Sequence, residues 1–177
     1  MAVKKQIKKV AVIGPECTGK SALSVSLAEH FKTVWVPEYA RGYLEHLTVP
    51  YQQHDLATIA HGQLRLEDEY ERDANEVLIC DTNLYVIKIW SEFKFGNCDP
   101  LILESIATRK YDLYLLTFID IAWVADPQRE HPDKRRQLYE LYLAEMKNQP
   151  VPFVEVKGTG ESRKKPAVEA IEKLLVK

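Results

Sequence analysis

Gly14-Pro15-Glu16-Cys17-Thr18-Gly19-Lys20-Ser21 decides the reading of this chain, because it fits G-x-x-x-x-G-K-[ST], the loop that cradles phosphates. Its two glycines let the backbone wrap an anion, successive N–H groups point inward as a nest, and the helix that follows lends its positive end. Lys20 is placed to reach the outer phosphates of a nucleotide, and the Ser21 hydroxyl to ligate an accompanying Mg²⁺. The neighbouring sequence has the required order. Val10-Ala11-Val12-Ile13 is a continuous apolar run suited to a buried parallel strand, and Leu23, Leu27 and Phe31 recur at i, i+4 and i+8 of a helix. Gly14 to Ala22 is therefore the candidate ATP-binding stretch.

A chain of 177 residues suits one well-buried α/β domain, expected to span residues 1–177. Its 24 basic and 26 acidic residues give a net charge of −2, too little to hold nucleic acid or an anionic membrane through an overall field. The expected partners are a nucleotide and a small molecule; a homo-oligomer is left open. Cys17, Cys80 and Cys98 form no C-x-x-C pair, which points to a reducing, cytoplasmic compartment. Lys4, Lys5, Lys8 and Lys9 precede an apolar run too short for a signal-peptide core or a membrane span.

Moving outward from the loop, Thr33 to Val36 reads as a second strand closed by Pro37, which releases Glu38-Tyr39-Ala40-Arg41 at the carboxyl edge of a sheet. Ligands of open α/β sheets bind at that edge, so Glu38 and Arg41 are candidates to meet a substrate. Leu56, Ile59, Ala60 and Leu64 give a helical stripe, followed by Glu67, Asp68, Glu69, Glu71 and Asp73, expected as a solvated face. Val77-Leu78-Ile79-Cys80-Asp81 is an apolar strand ending in an acid, which after a P-loop matches the Walker-B pattern that supports Mg²⁺ or the attacking group. Thr82-Asn83 caps the next helix; its Tyr85, Ile89, Trp90 and Phe93 read mostly as core, and Gly96 ends it.

A helix from about residue 99 to 110 and a strand from Tyr111 to Leu116 come next. Trp123 to Arg129 is polar and carries a proline. Phosphoryl transfer needs cations brought to the developing charge, and Arg129 is the candidate, with Arg135 or Arg136 assisting. Leu138, Leu141, Tyr142 and Met146 mark a helix, Val151 to Val156 a fifth strand, and Val168, Ile171 and Leu175 a closing helix. The intervening loop at Gly158 is placed to pack against an adenine ring. The sum is a P-loop NTPase fold, three layers α/β/α around a five-stranded, mostly parallel sheet.

With these pieces assembled, the chain from about Val10 onward resembles the ribosylnicotinamide kinase module of NadR-type proteins. The matching pieces are the P-loop with Glu16, Glu38-Tyr39-Ala40-Arg41, Ile59-Ala60-His61-Gly62-Gln63, Cys80-Asp81-Thr82, and Trp123-Val124 with Asp126 and Arg129. The resemblance implies ATP- and Mg²⁺-dependent phosphorylation of the 5′-hydroxyl of nicotinamide riboside. It implies catalytic roles for Lys20, Asp81 and Arg129, metal support by Ser21 and Asp81, and substrate contacts from Glu38, Tyr39, Arg41, Asp81, Thr82, Trp123 and Asp126. A pyridinium substrate favours aromatic faces and carboxylates, which Trp123, Tyr39, Glu38 and Asp81 are expected to supply. Whether Asp81 or Glu38 takes the proton stays open. The adenylyltransferase domain of longer members does not fit in 177 residues, so the chain is expected to stop at the mononucleotide. Pro37 stands where the family would place a tryptophan. Two alternatives stay open: a kinase for another nucleoside or small metabolite, and a nucleotide-dependent regulatory ATPase.

Overall fold

The apolar run before the phosphate loop becomes β1 (Lys8–Ile13) in the computed structural model, which describes residues 6–176. Lys4 and Lys5 of the basic start lie outside the described residues. The elements that follow are α1 (Lys20–Phe31), β2 (Trp35–Val36), α2 (Tyr39–Glu45), α3 (Gln53–Tyr70), β3 (Val77–Asp81), α4 (Leu84–Phe95) and α5 (Pro100–Thr108). Then come β4 (Leu113–Thr117), α6 (Arg135–Asn148), β5 (Phe153–Val156) and α7 (Gly160–Leu175).

The five strands form one sheet in the order β2-β3-β1-β4-β5, and every pairing is parallel. Parallel strands joined by helices leave both faces covered, which explains why residues 10–13 of β1, 77–80 of β3 and 113–116 of β4 are continuous apolar runs rather than alternating. Leu23 and Leu27 of α1 and Ala167 and Ile171 of α7 meet Val10, Val12, Ile79 and Leu115 on one face. Ile89 of α4 and Leu138, Tyr139, Tyr142 and Met146 of α6 meet Ala11, Ile13, Leu78 and Leu116 on the other. A further cluster joins α2, α3, α4 and α5 through Ala40, Leu56, Ile59, Ile87 and Ile102.

The expected strands and helices are present, with local corrections. The second strand shortens to two residues, and Tyr39 to Arg41 open a short helix, α2, with Glu38 as its N-cap. Leu141 faces outward at 40% exposure, because the buried stripe of α6 runs through Leu138, Tyr139, Tyr142 and Met146. Glu67 is fully buried rather than solvated. It continues the inward face of Leu56, Ile59, Ala60 and Gln63, where its carboxylate receives the Tyr111 hydroxyl at 2.7 Å and Arg109 Nε at 3.1 Å. Lys8 and Lys9 of the basic start are also engaged, with Asp112 (3.1 Å) and Glu71 (2.7 Å).

Burial pushes the Glu67 carboxyl above its ordinary value, opposed by the Tyr111 hydroxyl and the Arg109 charge. Arg109→Ala strands this acid in the interior and is expected to cost about 3 kcal/mol at neutral pH in urea unfolding. The loss shrinks in acid, where a protonated Glu67 needs no cation. A loss independent of pH would show that Arg109 acts through packing alone.

Candidate active site

The parallel register brings the functional segments to one edge. Val12 of β1 lies opposite both Asp81 of β3 and Leu115 of β4, so the P-loop leaves β1 between the ends of its two neighbours. Thr117, the last residue of β4, sits beneath the loop. Its hydroxyl is 2.7 Å from that of Thr18 and donates to the Ile13 carbonyl at 3.0 Å. Gly14 is required here: its φ is +140°, and a Cβ would lie 2.4 Å from Thr117 Oγ1. Cys17 (φ 54°) and Gly19 (φ 74°) supply the left-handed turns that aim successive N–H groups inward. Lys20 lies folded over the loop, its ammonium donating to the Pro15 carbonyl at 2.9 Å.

A cavity of about 320 Å³ opens in front of the loop. Gly14 to Ala22 form one wall and Glu38, Arg41 and Leu44 another. Val86, Ile89, Trp90 and Phe93 of α4 and Leu138 and Tyr142 of α6 add an apolar, aromatic side, and Gln128, Arg129 and His131 close the rim. These dimensions and this mixture of apolar walls with a few polar groups are those of a small-molecule site.

Asp81 ends β3 beside the P-loop, is 3% exposed, and has one carboxylate oxygen, Oδ1, without a hydrogen-bond partner. Burial raises its pKa, against the Ser21 hydroxyl and the Lys20 and Arg41 charges, which lower it. Glu38 is likewise raised by burial and opposed by Lys20, while Asp81 and Glu16 push it further up. Thr82, next in the chain, holds φ +73° while donating its N–H to the Val12 carbonyl at 3.0 Å. For a β-branched residue this conformation costs on the order of 1–3 kcal/mol and marks strain stored at the strand end. An orphaned, buried carboxylate oxygen beside the Ser21 hydroxyl fits a hard divalent cation with oxygen ligands.

The segment between β4 and α6 is tied to the loop by side chains of the loop itself. Glu16 accepts the backbone N–H groups of Glu130 (3.1 Å) and His131 (3.0 Å). Cys17 Sγ accepts that of Val124 at 3.2 Å. Arg129 lines the cavity rim, with its guanidinium on the Val124 carbonyl. Arg135 does not stand as a free cation: it donates to the Ile119 carbonyl (2.8 Å) and the Ile121 carbonyl (2.8 and 2.9 Å), which commits it to shaping the segment. Arg136 lies over the Phe118 ring.

Several residues expected to touch substrate stand elsewhere. The Tyr39 ring packs on Gly62 of α3, leaving no room there for a Cβ, and its N–H is taken by Gln63 at 2.9 Å. Trp123 lies outside the cavity lining, with Arg135 stacked 5.9 Å from its ring centre. Asp126 pairs with Arg41 at 3.3 Å and receives the Gln128 N–H at 2.9 Å, so it steadies the rim without lining the cavity. Thr82 and Gly158 also lie outside the lining, as does Asp81, which stands buried behind Ser21. The aromatic wall comes instead from Trp90, Phe93 and Tyr142, whose spacing in the sequence reads as core because the cavity continues the core. No motif in the sequence marks Arg163. It is 5% exposed and donates to the carbonyls of Thr18 (2.7 Å), Gly158 (2.8 Å) and Phe118 (3.1 Å), joining the Gly158 loop to the P-loop.

The sequence family described as an AAA domain matches residues 9–163, and the chain belongs to it. The trifunctional NAD biosynthesis/regulator protein NadR of Salmonella typhimurium is 28% identical over 159 residues, which cover 85% of this chain and 38% of NadR. The chain thus spans about two fifths of that relative's length. Among solved structures, a NadR protein in complex with NR superposes with a TM-score of 0.80 at 22% identity, covering 97% of this chain and 52% of NadR. A NadR protein in complex with NAD and AMP-PNP superposes with a TM-score of 0.78 at 20% identity, covering 96% and 50%. The resemblance read from the motifs is borne out, and the chain has a P-loop kinase fold.

Because Asp81 titrates above its ordinary value of 3.8 in the folded protein, raising the pH through its native pKa costs stability. Asp81→Asn is therefore expected to raise the thermal midpoint of the nucleotide- and metal-free protein at about pH 8, with the gain vanishing in acid, where the wild-type carboxyl is protonated in both states. A lowered midpoint at the higher pH would contradict the assignment of Asp81 as a charge buried at a cost to folding.

Proposed function

We propose that this P-loop protein is an ATP-dependent kinase that phosphorylates the 5′-hydroxyl of nicotinamide riboside, residues 1–177 acting as one kinase domain. The observation that carries this reading is the shared cavity. The phosphate loop, the Glu38 carboxyl of raised pKa and an aromatic wall open onto the same space, with the Asp81 carboxyl buried beside Ser21 of the loop, so donor and acceptor can meet there. The likeness to NadR, one structure of which contains NR, supports the choice of acceptor.

In this reading the P-loop N–H groups and Lys20 hold the β- and γ-phosphates of ATP, with Lys20 exchanging the Pro15 carbonyl for phosphate oxygen. Ser21 and Asp81 would hold Mg²⁺, which when bound neutralises phosphate charge. The acceptor enters against Trp90, Phe93 and Tyr142, and Glu38 and Arg41 orient its ribose from the opposite wall. A pyridinium ring gains from both the aromatic faces and the nearby acid. The 5′-oxygen attacks the γ-phosphorus, the bond to the β,γ-bridging oxygen breaks, and ADP leaves with that electron pair. The hydroxyl proton passes to Asp81 or Glu38, whose raised pKa values suit either to receive it. Arg129 swings from the Val124 carbonyl to the transferring group, where fixed positive charge is most effective. The chemistry is chiefly one of positioning, which suits a site whose parts are tied to one another through the loop.

An assay across nicotinamide riboside, uridine, cytidine, adenosine and guanosine tests the proposal: nicotinamide riboside is expected to have the highest kcat/KM. Preference for another nucleoside would overturn the choice of acceptor, and ATP turnover unaffected by any acceptor would favour a regulatory ATPase. In the same assay the variant lacking the general base is expected to lose about 10²–10⁴-fold in kcat. Asp81→Asn and Glu38→Gln, measured side by side, identify which acid that is; small effects in both would remove general-base catalysis from the account.

A further inference from the structure

An acid inside a phosphate-binding loop is a liability, because its charge opposes the anion that the loop is built to hold. Glu16, the third residue of the loop, has its carboxylate committed to another task. It accepts the backbone N–H of Glu130, 3.1 Å from each oxygen, and that of His131 at 3.0 Å. Hydrogen bonds to an ionised acceptor are stronger than neutral ones, and here two successive N–H groups share one carboxylate. Those two residues directly follow Arg129 in the chain. The next loop residue holds the other side. Cys17 Sγ accepts the Val124 N–H at 3.2 Å, and the Val124 carbonyl is where the Arg129 guanidinium rests.

These anchors matter because, among the described residues, 118–134 between β4 and α6 form no helix or strand that would fix them. The stretch before Arg129 is fastened to α2, where Arg41 meets Asp126 at 3.3 Å and the Arg41 carbonyl accepts Gln128 Nε2 at 3.1 Å. We infer that Glu16 is a positioning residue for Arg129, a latch through which the phosphate loop sets where the cation can reach. The inference rests on the reading of Arg129 as the group that stabilises the transferring phosphoryl. With the backbone pinned on both sides, moving the guanidinium from the Val124 carbonyl to that group takes side-chain rotation alone. The entropy of ordering an irregular segment is then lost in folding rather than on the way to the transition state. Glu16 also departs from the same loop whose N–H groups hold the donor phosphates, so the cation starts from a place set relative to the γ-phosphate.

Double-mutant kinetics test the latch, measured with whichever acceptor the nucleoside panel selects. Arg129→Ala is expected to lower kcat by about 10²–10³-fold. Glu16→Ala should lower it by about 10–100-fold, with the acceptor KM and the dissociation constant of AMP-PNP within about twofold of wild type. Glu16→Gln, which keeps one carbonyl oxygen for the two N–H groups, should fall between Glu16→Ala and wild type. In the Arg129→Ala background, Glu16→Ala should cost less than about twofold more, because a latch without its cation has nothing to position. Losses that multiply instead, or a Glu16→Ala change confined to the acceptor KM, overturn the inference. So does loss of AMP-PNP binding in both Glu16 variants, which would make the carboxylate part of the cradle. A wild-type kcat in Glu16→Ala beside a crippled Arg129→Ala overturns the latch alone; a wild-type kcat in Arg129→Ala removes the catalytic cation, and the latch with it.

Discussion

The register of β1 between β3 and β4 is the constraint on which the rest of this molecule depends. A parallel strand paired on both sides cannot slip without breaking two ladders at once, and here the pairing sets Val12 against both Asp81 and Leu115. The P-loop then has a fixed point of departure. Thr117, at the end of β4, holds it from beneath through the Thr18 hydroxyl and the Ile13 carbonyl. The space between Gly14 and Thr117 is so small that no other residue fits. From this seat the loop organises its surroundings: Glu16 and Cys17 reach across to the segment that carries Arg129 and His131, and Arg163 joins the loop to Gly158.

The site carries stored cost of two kinds. Asp81 and Glu38 are carboxyls pushed up by burial, with Lys20 and Arg41 offsetting only part of the penalty. Cys17 and Thr82 hold left-handed backbone that their side chains disfavour. Neither feature helps the protein fold. Both place groups at the carboxyl ends of β1, β2 and β3, where they face the cavity or flank it, and folding stability is supplied by the two apolar layers against the sheet. The contrast with Glu67 is instructive. That acid is as deeply buried as Asp81, yet it is matched by Tyr111 and Arg109 at hydrogen-bonding distance, as befits a structural role at the far side of the fold.

The parts of the fold legible in the sequence were those governed by local rules. Continuous apolar runs gave the buried parallel strands, Gly14 to Ser21 gave the loop, Asn83 and Gly96 marked the ends of α4, and the resemblance to NadR-type proteins followed from motifs in order. The cavity wall was less legible, for a physical reason. Trp90, Phe93 and Tyr142 obey the same helical spacing as core residues, and only the tertiary gap between α4, α6 and the P-loop separates the two roles. Trp123 and Tyr39 are aromatic residues in motif positions, but contact with Arg135 and Gly62 directs them elsewhere. Arg163 and Thr117 were illegible because what they do is bond to backbone carbonyls distant in sequence, which leaves no local pattern.

The central claim is that one cavity holds donor phosphate and acceptor together. A bisubstrate compound, adenosine joined through an oligophosphate chain to the 5′-oxygen of nicotinamide riboside, tests it most directly. Steady-state inhibition should be competitive against ATP and also against nicotinamide riboside, with binding tighter than that of either substrate alone. Competition against only one of the two, with the other able to bind alongside the compound, would contradict the account.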